Sequence, residues 1–150
     1  MTQVYRAPMR SRRDDVEPYL AVERALDHGL CGMGAATDDR SGRRLERFTA
    51  VPSGAFVWTR DADGFSYLGR LTGEVRRDDD PAALKADLVH VRDCTWLPDP
   101  VPDNQLPAAV SRTFARGGRN FQQIHDPSVE SETAALWDPT STSDASTSRE

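Results

Sequence analysis

The sequence predicts an α+β fold, a small and strongly curved mixed β-sheet or partly open barrel with short flanking helices. Three observations predict it. Short stretches rich in aromatic and β-branched residues recur along the chain and are separated by turn residues. Helical spacing appears only in short segments, without the regular strand–helix alternation of a doubly wound sheet. The chain has 150 residues, enough to bury one core without disulfides or metal.

The elements follow in order. QVYRAPM (3–9) reads as a strand stopped at Pro8. Asp14 or Asp15 is positioned to cap a helix over about 16–28, with Tyr19, Val22, Ala25 and Leu26 on one side. Gly29 suits the left-handed residue that ends it. LCGMG (30–34) is a short apolar segment whose glycines suggest close approach of another backbone or a ligand. Residues 36–53 are polar, with a helical turn at 43–48. GAFVWTR (54–60) and FSYLGRLTGEV (65–75) bracket DADG, a β-hairpin pattern. RRDDDP (76–81) reads as a solvated loop and ADLVHVRDCTWL (86–97) as a strand. Four prolines make 98–107 irregular, and LPAAVSRTFA (106–115) reads as a short helix broken by RGGR. NFQQIHD (120–126) reads as a last strand, and 128–137 as a further helix that Leu136 and Trp137 would dock. The domain is expected to span 1–126, with that helix at 127–137. An acidic tail at 138–150 has no apolar anchor and is expected to be disordered.

Charge and composition narrow the function classes. The net charge of −5 lies wholly in residues 126–150, which hold six acidic residues and one arginine. Residues 1–125 balance at 18 basic and 18 acidic residues, so a basic face requires segregation of its charges. No apolar run reaches the roughly 18 residues of a membrane span, and the N-terminus lacks a signal peptide's apolar stretch. A cytoplasmic protein is expected. Cys31 and Cys94 sit among apolar residues and read as buried free thiols. His28, His90 and His125 have no paired metal-ligand spacing. GLCGMG lacks the lysine of a phosphate loop, and no GxSxG nucleophile elbow is present. No metal, cofactor or catalytic residue is expected.

Aromatic and arginine chemistry remain. On GAFVWTR, Phe56, Trp58 and Arg60 share one face, opposite Val57 and Thr59. Two rings beside a guanidinium either fill the barrel or hold a flat ligand by stacking and hydrogen bonds. Three arginine groups occur: Arg10, Arg12 and Arg13; Arg40, Arg43, Arg44 and Arg47; and Arg112, Arg116 and Arg119 with Asn120. Acidic neighbours in sequence offset the first two. The third, with its glycine turn, offers arginines and backbone N–H groups to phosphates.

The ordered set VYR, HGLCGMG, GAFVWTR, DGFSYLGRLTGEV, ADLVHVRDCTWLP and RNFQQIHD resembles the EVE-like branch of the PUA-like superfamily. The likeness is to domains of bacterial modification-dependent restriction systems and covers about residues 3–126. It implies a curved β-barrel with flanking helices and a non-catalytic reader of nucleic acid. Such a domain accepts a flipped, modified base in an aromatic-walled pocket. Carried over by position, Trp58 would wall that pocket. Arg6, Gly32, Met33, Gly34, Arg60 and, more weakly, Tyr67 would join it. Arg112, Arg116, Arg119 and Asn120 would hold phosphates. Ala35 departs from the pattern, which carries an aromatic residue after the glycine segment, so the pocket lacks a wall or favours a bulkier ligand. The partner this implies is modified DNA, read by a monomer or weak dimer that serves a separate effector protein in a defence system. An RNA-binding module of the same superfamily is the alternative, as is a protein-interaction adaptor using the acidic tail.

Overall fold

A computed structural model describes residues 2–138, so most of the tail expected at 138–150 lies outside the described residues. Its centre is the hairpin of β3 (Phe56–Arg60) and β4 (Ser66–Leu71). Asp61 closes the turn, its carboxylate accepting the N–H groups of Asp63 at 3.0 Å and Phe65 at 2.9 Å. Gly64 takes the left-handed conformation there, at φ 85°. β1 (Val4–Arg6) runs parallel to β3, with Arg6 opposite Trp58. Antiparallel neighbours complete the sheet: β2 (Leu30–Met33), β5 (Arg76–Arg77), β6 (His90–Trp96) and β7 (Gln122–Gln123). The path is β2-β6-β4-β3-β1-β7, with β5 beside β6. This is the curled mixed half-barrel that the sequence predicts.

Alternation along the strands divides the interior into two cores. Val57, Leu71 and Val91 pack against α1 (Leu20–His28) and Phe48 of α2 (Asp39–Ala50). Phe56, Trp58 and Leu68 point to the opposite face, covered by α4 (Ala108–Ala115) and α5 (Val129–Trp137). α5 docks through buried Val129 and Thr133, and its Trp137 meets Phe56 edge-on at 5.9 Å. Cys31 and Cys94 are free and buried, and burial pushes the Cys31 thiol up to about 12 and Cys94 also upward.

Several elements differ from the sequence reading. α1 begins at Leu20 and neither Asp14 nor Asp15 caps it; Asp15 instead pairs with Arg13 at 2.7 Å. Gly29 ends it in the left-handed conformation, as expected. α2 extends far beyond one turn because Asp38 and Ser41 form a reciprocal capping box. The segment read as a loop at 76–81 holds β5 and leads into α3 (Pro81–Ala86), which Asp80 caps and Pro81 starts. β7 is only two residues long.

Candidate functional site

The curl leaves the sheet open between its terminal strands, β2 and β7. A cavity of about 300 Å³ occupies that seam. The end of β2 supplies one side through Gly32, Met33 and Gly34; Arg119, Asn120 and Phe121, leading into β7, supply the other. Met9 and Asp87 lie between, and the start of α2 brings Asp38, Ser41 and Arg44.

Local backbone chemistry explains why these residues meet. A Cβ on Gly32 would lie 2.3 Å from the His90 carbonyl oxygen, so only glycine lets β2 pass β6 this closely. One on Gly34 would lie 2.5 Å from Asp87 Oδ2. Among the described residues, Met9 (φ 54°) and Asp87 (φ 55°) are the non-glycine residues at positive φ, and both line this cavity. Backbone strain of this kind concentrates at ligand sites and costs about 1–3 kcal/mol per residue. Asp87 occupies the left-handed position that ends α3, where glycine is usual.

Asp87 gives the cavity its acceptor. Its Oδ2 accepts from Ser11 Oγ at 2.6 Å and its Oδ1 from the Ala35 N–H at 3.3 Å. The residue is 9% exposed and makes no ion pair among the described residues. Each carboxylate oxygen has a further lone pair, so Asp87 can accept from a ligand N–H. Asp38, by contrast, is engaged: the Ser41 amide and hydroxyl hold its carboxyl below the usual range.

Phe121 supplies the ring. It stacks on Tyr5 with centroids 4.8 Å apart and planes 13° apart, and meets Phe48 edge-on at 5.0 Å. Phe121 also borders a groove of about 920 Å³, which continues over β7 and α2. Arg40, Arg43, Arg44 and Arg47 line that groove at the i, i+3, i+4, i+7 spacing of one helix face. None of the four forms an ion pair among the described residues. Burial, and then the nearby Arg12 charge, lower Arg44 from its ordinary value. The helix thus segregates arginines whose charge the linear sequence shows as offset.

The residues expected to form the base pocket and those expected to hold phosphates divide into two groups. Gly32, Met33, Gly34, Arg119 and Asn120 meet at the cavity. Trp58 does not: it is fully buried on the α4–α5 side, its Nε1–H donating to Thr133 Oγ1 at 3.3 Å. Arg6 shares that face, because residues paired across the ladder project to the same side. Its Nη1 donates to the carbonyls of Thr113 (2.7 Å) and Gly117 (2.8 Å), and its Nε to that of Asn120 (3.3 Å). Arg6 therefore anchors the loop that carries Arg119–Phe121. Arg60 donates to Ser66 Oγ at 3.0 Å and lies over the Phe114 ring at 4.8 Å, away from the seam. Tyr67 lies opposite Thr59, its phenol raised by burial and by Asp61. Arg112 pairs with Asp126 at 3.1 Å, and Arg116 donates to Thr113 Oγ1 at 3.3 Å; neither lines the seam cavity or the α2 groove. Sequence reasoning missed Asp87, Phe121 and the α2 face. Only the α2 face left a periodic signal, the arginine spacing from 40 to 47.

Neither a family model nor a curated protein sequence matches the chain. Solved structures do resemble it. The YTH domain of Zygosaccharomyces rouxii MRB1, solved in complex with N6-methyladenosine RNA, is 15% identical with a TM-score of 0.50. That match covers 90% of this chain and 86% of the other. The Pho92 YTH domain, solved in complex with m6A, is 13% identical with a TM-score of 0.53, covering 90% and 82%. Human THYN1 in complex with 5-methylcytosine-containing DNA is 12% identical at a TM-score of 0.45, covering 89% and 96%. With its curled mixed half-barrel and flanking short helices, the chain shares the fold of these two YTH domains, the PUA-like fold that the sequence predicts.

Proposed function

We propose that the seam cavity reads a modified base in a nucleic acid, and that the protein performs no catalysis on it. One observation carries this reading. A buried acceptor, Asp87, and an aromatic ring, Phe121, share a small cavity that opens beside four arginines without ion pairs. The cavity's 300 Å³ lies at the small end of ligand pockets, a size suited to one flat heterocycle. A base turned out of its stack would meet the Phe121 ring, with a stacking contribution of about 1–3 kcal/mol. Asp87 would accept an N–H from the base's exocyclic amine. A carboxylate favours adenine or cytosine there over a base that presents a carbonyl oxygen. An amine with one methyl group still has one N–H to donate. Met9 and Met33 provide polarizable apolar surface for the methyl group. The α2 arginines would hold the flanking phosphates.

DNA is the nucleic acid we propose first, on the sequence resemblance, which also supplies the proposed setting of a separate effector in a restriction or defence system. RNA is the second reading, and the observation favouring it is that the MRB1 YTH domain was solved with N6-methyladenosine RNA. Fluorescence anisotropy with matched DNA and RNA oligonucleotides tests both. Each set carries adenine, cytosine, their singly methylated amines or thymine at one position. We expect a methylated amine to bind more tightly than its unmethylated parent and than thymine in one of the two sets. Equal affinity for all bases in both sets would sink the proposal.

A further inference from the structure

A second cavity, of about 240 Å³, is lined by Arg6 and by Arg10, which also borders the seam cavity. Three guanidiniums line it, those of Arg6, Arg10 and Arg60, against one carboxylate, Asp61. That carboxylate is already engaged by the amides of Asp63 and Phe65. Arg6 is 4% exposed and makes no ion pair among the described residues. A buried cation bonded only to neutral oxygens, here three carbonyls and the Thr113 hydroxyl, keeps most of its desolvation cost. Arg10 Nε is buried and has no hydrogen-bond partner, while its guanidinium sits 5.5 Å from the Tyr19 ring centroid. Such an orphan donor is uncommon in a native fold. Arg92 provides the contrast. It too is buried and clipped to carbonyls, those of Phe48, Val51 and Gly73, but no like charge adds to its burial, whereas Arg116 adds to that of Arg6.

We infer that this second cavity binds a phosphoryl oxyanion, which neutralises Arg6 and Arg10 and thereby stiffens one wall of the seam cavity. The link between the two sites is Arg6. Its bonds to Thr113, Gly117 and Asn120 hold the loop that ends in Arg119, Asn120 and Phe121. Gly117 (φ 75°) and Gly118 (φ 102°) form the rim, and a Cβ on Gly118 would lie 3.0 Å from Arg6 Nη2. A bare glycine rim leaves that nitrogen accessible to an anion. The anion is either free or a phosphodiester of the bound strand. The site stands on its own geometry, and only its effect on base affinity rests on the proposed function.

Calorimetric titration of the full chain with inorganic phosphate, without any oligonucleotide, tests the site. One phosphate should bind per chain. Arg60→Gln, which touches only the second cavity, and Arg10→Gln should each weaken it at least tenfold. Arg76→Gln, on β5 and outside these cavities, should leave it unchanged. No saturable binding, unchanged affinity in Arg60→Gln, or loss in Arg76→Gln would each overturn the site. A second titration is done with the oligonucleotide present. Displacement of phosphate assigns the anion to the strand, and mutual tightening assigns it to a free ion. Independent binding of phosphate and oligonucleotide overturns the coupling. Because the first titration contains no base, the anion site and the base-reading proposal fail separately.

Discussion

Single side chains here are decided by which face of a strand they occupy. Val57 and Trp58 are neighbours in sequence but belong to different cores. The hairpin pattern showed that Trp58 shares a face with Phe56, but it did not show that two helices cover that face. Trp58→Ala should therefore cost about 3–5 kcal/mol of stability. Denaturant unfolding will measure that loss, while the ratio of modified to plain base affinity in the surviving folded protein should not change. Asp87→Asn is the complementary case. Asparagine tolerates the left-handed backbone, so the fold should persist. A hydrogen bond to a charged group contributes about 1.5–3 kcal/mol, so base discrimination should fall roughly 10- to 100-fold. Anisotropy at fixed salt checks the second expectation and a thermal melt the first.

At the scale of elements, the decisive feature is helix α2. Counting charge along the sequence spreads its arginines among acidic neighbours, whereas the helical period gathers Arg40, Arg43, Arg44 and Arg47 on one face. Arg43→Ala combined with Arg47→Ala should weaken every oligonucleotide alike and reduce the salt slope of log affinity by about two. Arg112→Ala should leave that slope unchanged, since Asp126 already holds its guanidinium. The N-terminus of the same helix gives a pH dependence. The Asp38 carboxyl is lowered first by the Ser41 amide and then by its hydroxyl. The stability this contributes is complete above the ordinary carboxyl pKa, about 3.9. It is lost as pH falls through the lowered value. Melting temperatures across acid pH should show the loss in the native chain and a smaller one in Ser41→Ala.

For the molecule as a whole, fold class was legible because local rules agreed with it. The aromatic hairpin, Gly29 after α1 and the prolines before α4 each have one structural reading. The seam was not legible, because it arises from the sheet's order. Gly34, Asp87 and Phe121 lie far apart in sequence and meet only once β2 and β7 become the sheet's ends. The buried thiols report on the whole body. With Cys31 pushed up to about 12 and Cys94 also raised, a thiol reagent at pH 8 should label neither until the chain unfolds, and the labelling rate should track denaturant.

The seam's location also bears on how such a protein can diversify. Its walls come from chain segments at the edge of the first core, whose Met9 and Phe121 face the cavity, while Trp58 and Leu68 stay sealed behind α4 and α5. Preference for one chemical mark over another can thus be rewritten by exchanging residues at 10–13, 34–37 or 119–120 with the scaffold's interior untouched. A randomised library confined to those three stretches should return folded proteins with altered preferences far more often than one aimed at the hairpin.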